Sequence, residues 1–218
     1  MAEAAKDLLS AIKQAKETSP KRKFPESFEI SISLKGVDPK KPEGKITEEV
    51  VLPHYPGGPK TVIAFADGEL ASRARDAGAA QVLGRSAVEE LQKDKKQAKK
   101  LAETFDFCVA QADFMILIGK ALGPVLGTRG KMPKPIPPTA DPKPVIERLK
   151  RSVRIATREQ AAVNVKIGTG AMSDEELAAN AKAVLEAVER KLGGDMNKIG
   201  SIRVKTTMGK PVKVEVPR

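Results

Sequence analysis

The chain has 218 residues, of which 40% are hydrophobic and 31% charged, and its formal net charge at pH 7 is +11. A single cysteine and a single histidine exclude an internal disulfide framework and a zinc site of the usual ligand set. The positive charge favours a nucleic-acid partner, while an aromatic content of 3% argues against the stacking of many single-stranded bases.

The length allows one large domain or two smaller ones. Apolar runs such as residues 114–118 are too short to cross a bilayer, and Glu3 and Asp7 are atypical of a secretory signal. We therefore expect a soluble cytoplasmic protein with no membrane partner.

The first part of the chain predicts one helix and two strands. Leu8, Ile12 and Ala15 recur on one side of a helix over residues 2–16. Apolar and polar residues then alternate over residues 28–34, which predicts a half-buried strand, and residues 46–52 predict a second one. The prolines and glycines of residues 53–59 mark a boundary.

The middle part alternates strands with helices. We predict strands over residues 61–65, 81–83 and 105–109, and helices that begin at the cap Asp67, at the capping box of Ser86 and Glu89, and at Phe114. Such alternation is typical of a parallel α/β unit. Residues 123–144 are rich in proline and glycine and predict a loop, followed by a helix over residues 145–151.

The last part returns to amphipathic strands around one long helix. Residues 163–167 predict a strand, and the helix runs from a capping box of Ser173 and Glu176 to the glycines 193 and 194. The C-terminal segment predicts a hairpin with a turn at residues 208–211, where we expect Gly209 to adopt a positive φ. On its polar face lie Ser201, Arg203, Lys205 and Thr207, while Ile202, Val204, Val212, Val214 and Val216 form the apolar face.

The two ends share one character and the middle has another. Because neither end alone has enough elements for a core, we expect residues 1–59 and 157–218 to form one discontinuous α+β domain. Residues 60–156 would form an inserted three-layer, Rossmann-like α/β domain.

Motifs for nucleotide chemistry are missing from the predicted α/β unit. The glycine fingerprint of a dinucleotide site does not follow the strand at residues 61–65, and Gly130-Lys131 lacks the spacing of a phosphate loop. We therefore predict no enzyme, no cofactor and no metal. The basic segment 119–135 is either a surface connector or an electrostatic contact to RNA or to a neighbouring component.

Several motifs together resemble one family. They are Lys23-Phe24 with the strand 28–34, Leu52-Pro53-His54, Gly123-Pro124 through Met132-Pro133, and Ser201 with Thr206-Thr207-Met208-Gly209. The chain resembles, over almost its whole length, the archaeal form of the L-one family of large-subunit ribosomal proteins. The resemblance implies two domains, of which the terminal one binds rRNA of the mobile side stalk. It also implies help in releasing deacylated tRNA from the exit site and repression of translation of the protein's own mRNA.

The resemblance also implies a set of rRNA contacts. Carried over by position, they are Phe24, Ser27, Glu29, Ser201, Thr207, Met208 and Gly209. Arg203 and Lys205 lie on the same predicted strand face and would supply the salt-dependent part of the affinity. The partners would be rRNA, the protein's own mRNA and exit-site tRNA, with a monomer when free of the ribosome. Two alternatives stay open, an RNA-binding regulator acting only off the ribosome and an α/β enzyme with a phosphorylated substrate.

Overall fold

The computed structural model describes residues 2–20, 23–39, 41, 44, 46–157 and 159–214. The helices, in chain order, are α1 (Ala2–Thr18), α2 (Gly68–Asp76), α3 (Arg85–Lys93), α4 (Lys95–Thr104), α5 (Met115–Ala121), α6 (Gly123–Arg129), α7 (Lys143–Lys150) and α8 (Asp174–Lys191). The strands are β1 (Ser27–Leu34), β2 (Thr47–Val51), β3 (Val62–Phe65), β4 (Gln81–Leu83), β5 (Phe107–Gln111), β6 (Lys134–Ile136), β7 (Ser152–Ala156), β8 (Ala162–Thr169), β9 (Ile199–Thr206) and β10 (Val212–Val214).

The chain divides into two compact units. The first contains Met1–Gly58 and Arg151–Arg218, and the second contains Pro59–Lys150. The second junction therefore lies six residues before the expected position at residue 156. The reason is β7, which pairs antiparallel with β2 of the first unit and so belongs to that unit.

The first unit is built on an antiparallel sheet with strand order β10-β9-β1-β8. The predicted alternation over residues 28–34 is confirmed, because Phe28, Ile30 and Ile32 are almost fully buried while the residues between them are half-buried. The buried side chains pack against Leu8 and Ile12 of α1 and against the apolar stripe of α8. Each such side chain contributes roughly 1.5–3 kcal/mol to the stability of the fold by leaving water. The two helices therefore cover one face of this sheet.

The long helix α8 begins and ends as predicted. Ser173 accepts from the backbone N–H of Glu176, and the Glu176 carboxylate accepts from the Ser173 N–H, which lowers the pKa of Glu176. Beyond the helix, Gly193 and Gly194 have φ values of 75° and 81°, a region that favours glycine. The predicted hairpin is also present as β9 and β10, while Val216 lies outside the described residues.

The second unit is the predicted parallel α/β unit. Its sheet has the order β4-β3-β5-β6 with parallel pairing throughout. Val62 and Ala64 of β3 pack with residues of α2 and α7. Ile63 and Phe65 pack with residues of α3, α4, α5 and α6. Helices therefore cover both faces, as in a three-layer α/β fold.

Some local predictions in the second unit are wrong. Residues 123–129 form α6 and residues 134–136 form β6, where a loop was expected. Pro124 does not prevent the helix because it lies in the first turn, where its missing N–H has no intrahelical partner to lose.

The two predicted helix caps in this unit also differ. Helix α3 begins at Arg85 with Gly84 at the N-cap position, so Ser86 is inside the helix and forms no capping box. Asp67 stands at the N-cap of α2, but its side chain forms no bond to that helix. It accepts instead from the backbone N–H of Arg85 at 3.4 Å, at the start of α3.

Candidate nucleic-acid interface

The face of the first sheet opposite α1 and α8 carries polar side chains in rows. Glu29 of β1 is in register with Lys205 of β9 on one side and with Lys166 of β8 on the other. In the next row, Ser31 of β1 lies between Arg203 and Asn164. We call this surface, from Thr207 and Ser27 at one end to Ser201 and Ser33 at the other, the open face.

The open face is cationic. Among the described strand residues, its charged side chains are Glu29, Lys166, Arg203, Lys205 and Lys213. The carboxylate of Glu29 is flanked in register by two lysines, so its negative charge is locally offset. At about 3.3 Å per residue, the six steps along the chain from Ser201 to Thr207 extend over about 20 Å. The row pattern therefore presents hydroxyls and cations over a length suited to an extended polyanion.

The predicted contacts on β9, and Thr207 directly after it, lie on this face, and the hydroxyls of Ser201 and Thr207 already form hydrogen bonds. Thr207 Oγ1 accepts from the Ser27 N–H at 3.0 Å, and the Thr207 N–H donates to the Ser27 carbonyl at 3.0 Å. At the other end, the hydroxyls of Ser201 and Ser33 are 2.9 Å apart. Because each hydroxyl keeps free hydrogen-bonding capacity, both pairs can still bind a ligand.

The turn after β9 differs from the expectation at Gly209. Among the described glycines, those with positive φ do not include Gly209, so the turn does not need glycine for that reason. A Cβ at this position would lie 2.2 Å from Thr206 Oγ1, a side chain that is 2% exposed. Gly209 is therefore required by close packing.

Two large apolar side chains of the predicted site are exposed, one in this turn and one in the segment before β1. Met208 is 60% exposed and Phe24 is 49% exposed. Exposed apolar groups of this size beside a polar, cationic face fit contacts to a ribose or a base. The structure thus brings Ser27, Glu29, Ser201, Arg203, Lys205 and Thr207 onto the open face, and extends Met208 and Gly209 from one strand end.

Three further residues of this region are not among the predicted contacts. Lys166 and Thr169 of β8 complete two rows of the open face, and the alternation along the predicted strand 163–167 is the sequence signal for Lys166. Glu26 binds the N–H of Met208 through Oε1 at 3.2 Å. Glu26 carries no sequence signal, because 182 residues separate it from its partner.

The basic segment 119–135 uses much of its charge internally. Arg129 pairs with Glu103 at 2.8 Å, which lowers the pKa of Glu103. The Lys131 amine donates to the carbonyls of Ala102, at 2.9 Å, and of Phe105, and lies 5.2 Å from the Phe105 ring centroid. Burial lowers the pKa of Lys131. Two cations of this segment therefore stabilise the end of α4, which favours the connector interpretation for them.

Within the described ranges, His, Cys, Asp and Glu side chains form no group of three that could hold a metal ion. The helices in the described part of the chain are all too short or too polar to span a membrane.

The sequence is similar to those of known ribosomal proteins. The sequence model of the "Ribosomal protein L1p/L10e family" matches residues 13–210. A protein of Methanothermobacter thermautotrophicus named "Large ribosomal subunit protein uL1" is 45% identical over 208 residues, which are 95% of this chain and 98% of the relative. Proteins of the same name from Archaeoglobus fulgidus and Methanocaldococcus jannaschii are 45% and 43% identical, over 95% of this chain in both cases and 96% and 94% of the relatives.

Proposed function

Because the chain belongs to the ribosomal protein L1p/L10e family, we propose that it is a structural constituent of the large ribosomal subunit that binds rRNA through its open face. It acts on the ribosome in the cytoplasm and is not an enzyme. The observation that supports rRNA binding most directly is the row pattern of hydroxyls and cations that ends in the exposed Met208.

The chemistry of the open face suits RNA rather than DNA. The Thr207 hydroxyl donates to the Ser27 carbonyl at 3.3 Å and keeps a lone pair, so it and the Ser201 hydroxyl can each accept from a ribose 2′-OH. Arg203 and Lys205 neutralise phosphates, and the counterions released by that contact make the affinity depend on salt. Glu29 is a poor phosphate partner but accepts well from a 2′-OH or an exocyclic amine.

The turn residues would provide the close contacts. Met208 offers a polarizable thioether to a sugar or base, and Gly209 lets the backbone approach without a side chain in between. Phe24 supplies one aromatic ring, which fits the low aromatic content of the chain because a folded RNA needs few stacking partners.

The finer role follows from the family resemblance. We propose that the bound rRNA is that of the mobile side stalk, that the protein assists release of deacylated tRNA from the exit site, and that it represses translation of its own mRNA. Repression needs no second surface, since an mRNA with a similar fold would bind the same open face. The free protein would be a monomer.

A salt titration tests the proposal. Binding to a fragment of the stalk rRNA would be measured for the wild type, for Thr207→Ala and Met208→Ala, and for the control Met132→Ala, whose side chain is 44% exposed in the second unit. We expect the wild type to bind tightly with a modest salt slope. Thr207→Ala and Met208→Ala should each lower the affinity by about tenfold or more, or about 1.4 kcal/mol, and the control should bind as the wild type does. If binding is weak and steeply salt-dependent, and none of the three substitutions changes its affinity, the net charge alone drives association.

Two rival functions predict other results. A regulator acting only off the ribosome would not co-sediment with large subunits. An α/β enzyme with a phosphorylated substrate would bind a small phosphate ligand tightly, which calorimetry would reveal.

A further inference from the structure

A hydroxyl lies buried where the strand pattern calls for an apolar side chain. Thr206 ends β9 on the same side as Ile202 and Val204, and it is 2% exposed. Its Oγ1 lies 2.9 Å from Oγ of Ser19, just beyond the end of α1. A buried hydroxyl is tolerated only when it is hydrogen-bonded, so this pair satisfies a group that an apolar core would otherwise exclude.

The chain of hydrogen bonds continues to a carboxylate. Ser19 donates its hydroxyl proton to Glu26 Oε2. Since Ser19 has one such proton, the Thr206 hydroxyl is the donor in the bond between the two. The other carboxylate oxygen, Glu26 Oε1, accepts from the Met208 N–H at 3.2 Å. An ionised acceptor strengthens both bonds that reach it.

The backbone around Glu26 is fixed as well. Its carbonyl accepts from the N–H of Gly170, just beyond β8, at 2.8 Å. The adjacent residue, Ser27, holds Thr207 through two bonds of 3.0 Å. Thr206 in turn lies directly against Gly209, where a Cβ would have no room. The side chains of Ser19, Glu26 and Thr206 therefore connect the end of α1 to the start of the turn at residues 207–209 and to the Met208 amide within it.

We propose that Glu26, Ser19 and Thr206 form a positioning network that holds the turn at residues 207–209 in its RNA-binding conformation before RNA arrives. This rests on the proposed function of the open face. Glu26 is a positioning residue and not an RNA contact. Both of its carboxylate oxygens are engaged by donors of the protein, and a carboxylate beside phosphates would oppose binding unless it had another role.

A preformed turn has a definite effect on affinity. If the network is broken and the turn is competent for only a fraction of the time, the apparent dissociation constant rises by the inverse of that fraction. The number of phosphates contacted does not change, so the salt slope stays the same. Removing an RNA-contacting lysine would instead lower both the affinity and the slope.

The test compares Glu26→Ala with Glu26→Gln in the full chain. Alanine removes the acceptors, and we expect about a tenfold loss of affinity for the stalk rRNA fragment, which corresponds to a tenth of the molecules being competent. Glutamine keeps a carbonyl oxygen for the Met208 N–H, and its amide can donate to Ser19, so the hydroxyl chain can reverse direction. We expect Glu26→Gln to bind within about twofold of the wild type, since the geometry is retained.

Hydrogen exchange of the Met208 amide in the free protein reports on the turn without RNA. We expect faster exchange in Glu26→Ala and near-normal exchange in Glu26→Gln. Thr206→Val keeps the core apolar and interrupts only the link to Ser19, so it should lose less affinity than Glu26→Ala at an equal salt slope. It also tests the network if Glu26→Ala fails to fold.

Two outcomes would overturn the proposal. If Glu26→Gln binds as poorly as Glu26→Ala while its Met208 amide exchanges as slowly as in the wild type, the turn is intact and the Glu26 carboxylate acts on the RNA directly. If the Met208 amide of Glu26→Ala exchanges faster while affinity is unchanged, the turn need not be preformed. Failure of the proposed function is distinguishable from both, because the wild type itself would then bind the fragment no better than an unrelated RNA.

Discussion

The sheets of the two units show how burial decides what a sheet can recognise. In the first unit, β1 alternates between buried and half-buried residues along its whole length, and helices cover only one face. In the second unit, all four residues of β3 are buried, because helices pack against both faces. An antiparallel sheet can leave one face to water, whereas a parallel sheet joined by helices cannot. The first sheet can therefore bind a ligand with its strands, while the second can present only its helices and loops.

Glycine-to-alanine substitutions should be harmful in the first unit and favourable in the second. Gly209→Ala places a methyl group against the buried Thr206 and should shift the turn, which we expect to lower rRNA affinity by about 100-fold, or about 2.7 kcal/mol. Gly119→Ala in α5 meets open space in a helix, and should stabilise the protein by about 0.5–1 kcal/mol. Affinity and thermal unfolding of both variants provide the check.

The outcome for Gly209 would decide whether close packing matters. Wild-type affinity in Gly209→Ala would show that the turn adapts and that the contact between residues 206 and 209 plays no part in binding. A loss of affinity in Gly119→Ala would show instead that the second unit contacts the fragment.

Local patterns in the sequence predicted most of the fold and the placement of the strand residues of the candidate interface. Alternation placed Ser201, Arg203 and Lys205 on one face, because a strand has a fixed period of two. Sequence reasoning missed α6, because Pro124 and the glycines around it suggested a loop. It also placed the second junction too late, since nothing in residues 152–156 indicated pairing with residues 47–51.

The positioning network was beyond prediction for a different reason. Ser19 and Thr206 are 187 residues apart, and their contact depends on how α1 packs on the sheet. Neither residue belongs to a periodic pattern that would reveal a buried hydrogen bond. Thr206 breaks the apolar face of β9, and this break is the one local sign of a special role.

Thr207 tests whether a hydroxyl of the open face binds both the protein and RNA. Thr207→Ala removes the acceptor of the Ser27 N–H, so the free energy of unfolding should fall by about 0.5–1.5 kcal/mol. We expect rRNA affinity to fall about tenfold, since a second hydrogen-bond partner is lost as well. Thr207→Ser keeps the hydroxyl and should restore most of both, as measured by thermal unfolding and binding. An equal loss of affinity in the serine variant would assign the effect to the methyl group.

The charges of the two units should contribute differently to the salt dependence. Arg203→Gln and Lys205→Gln should each lower the salt slope by about 0.7–0.9 and weaken binding several-fold at moderate salt. Lys99→Gln removes an exposed charge from α4 of the second unit and is the matched control. A slope that fell equally in all three variants would mean that the fragment responds to net charge and not to the open face.

The smallest effect on affinity should come from the largest change to the chain. Deleting residues 59–150 and joining Gly58 to Arg151 by a short glycine-serine linker removes the second unit along its observed limits. A short linker suffices because the Lys60 N–H donates to the Lys150 carbonyl at 2.9 Å, so the two ends of the deleted unit lie side by side.

The open face and its supporting core come entirely from the residues that remain. We therefore expect cooperative unfolding and rRNA affinity within about threefold of the full chain, or about 0.7 kcal/mol, measured by calorimetry and by the same titration. If the shortened chain folds but binds tenfold more weakly, helices or loops of the second unit contribute to the interface, and the contrast between an open and a covered sheet does not by itself locate rRNA binding.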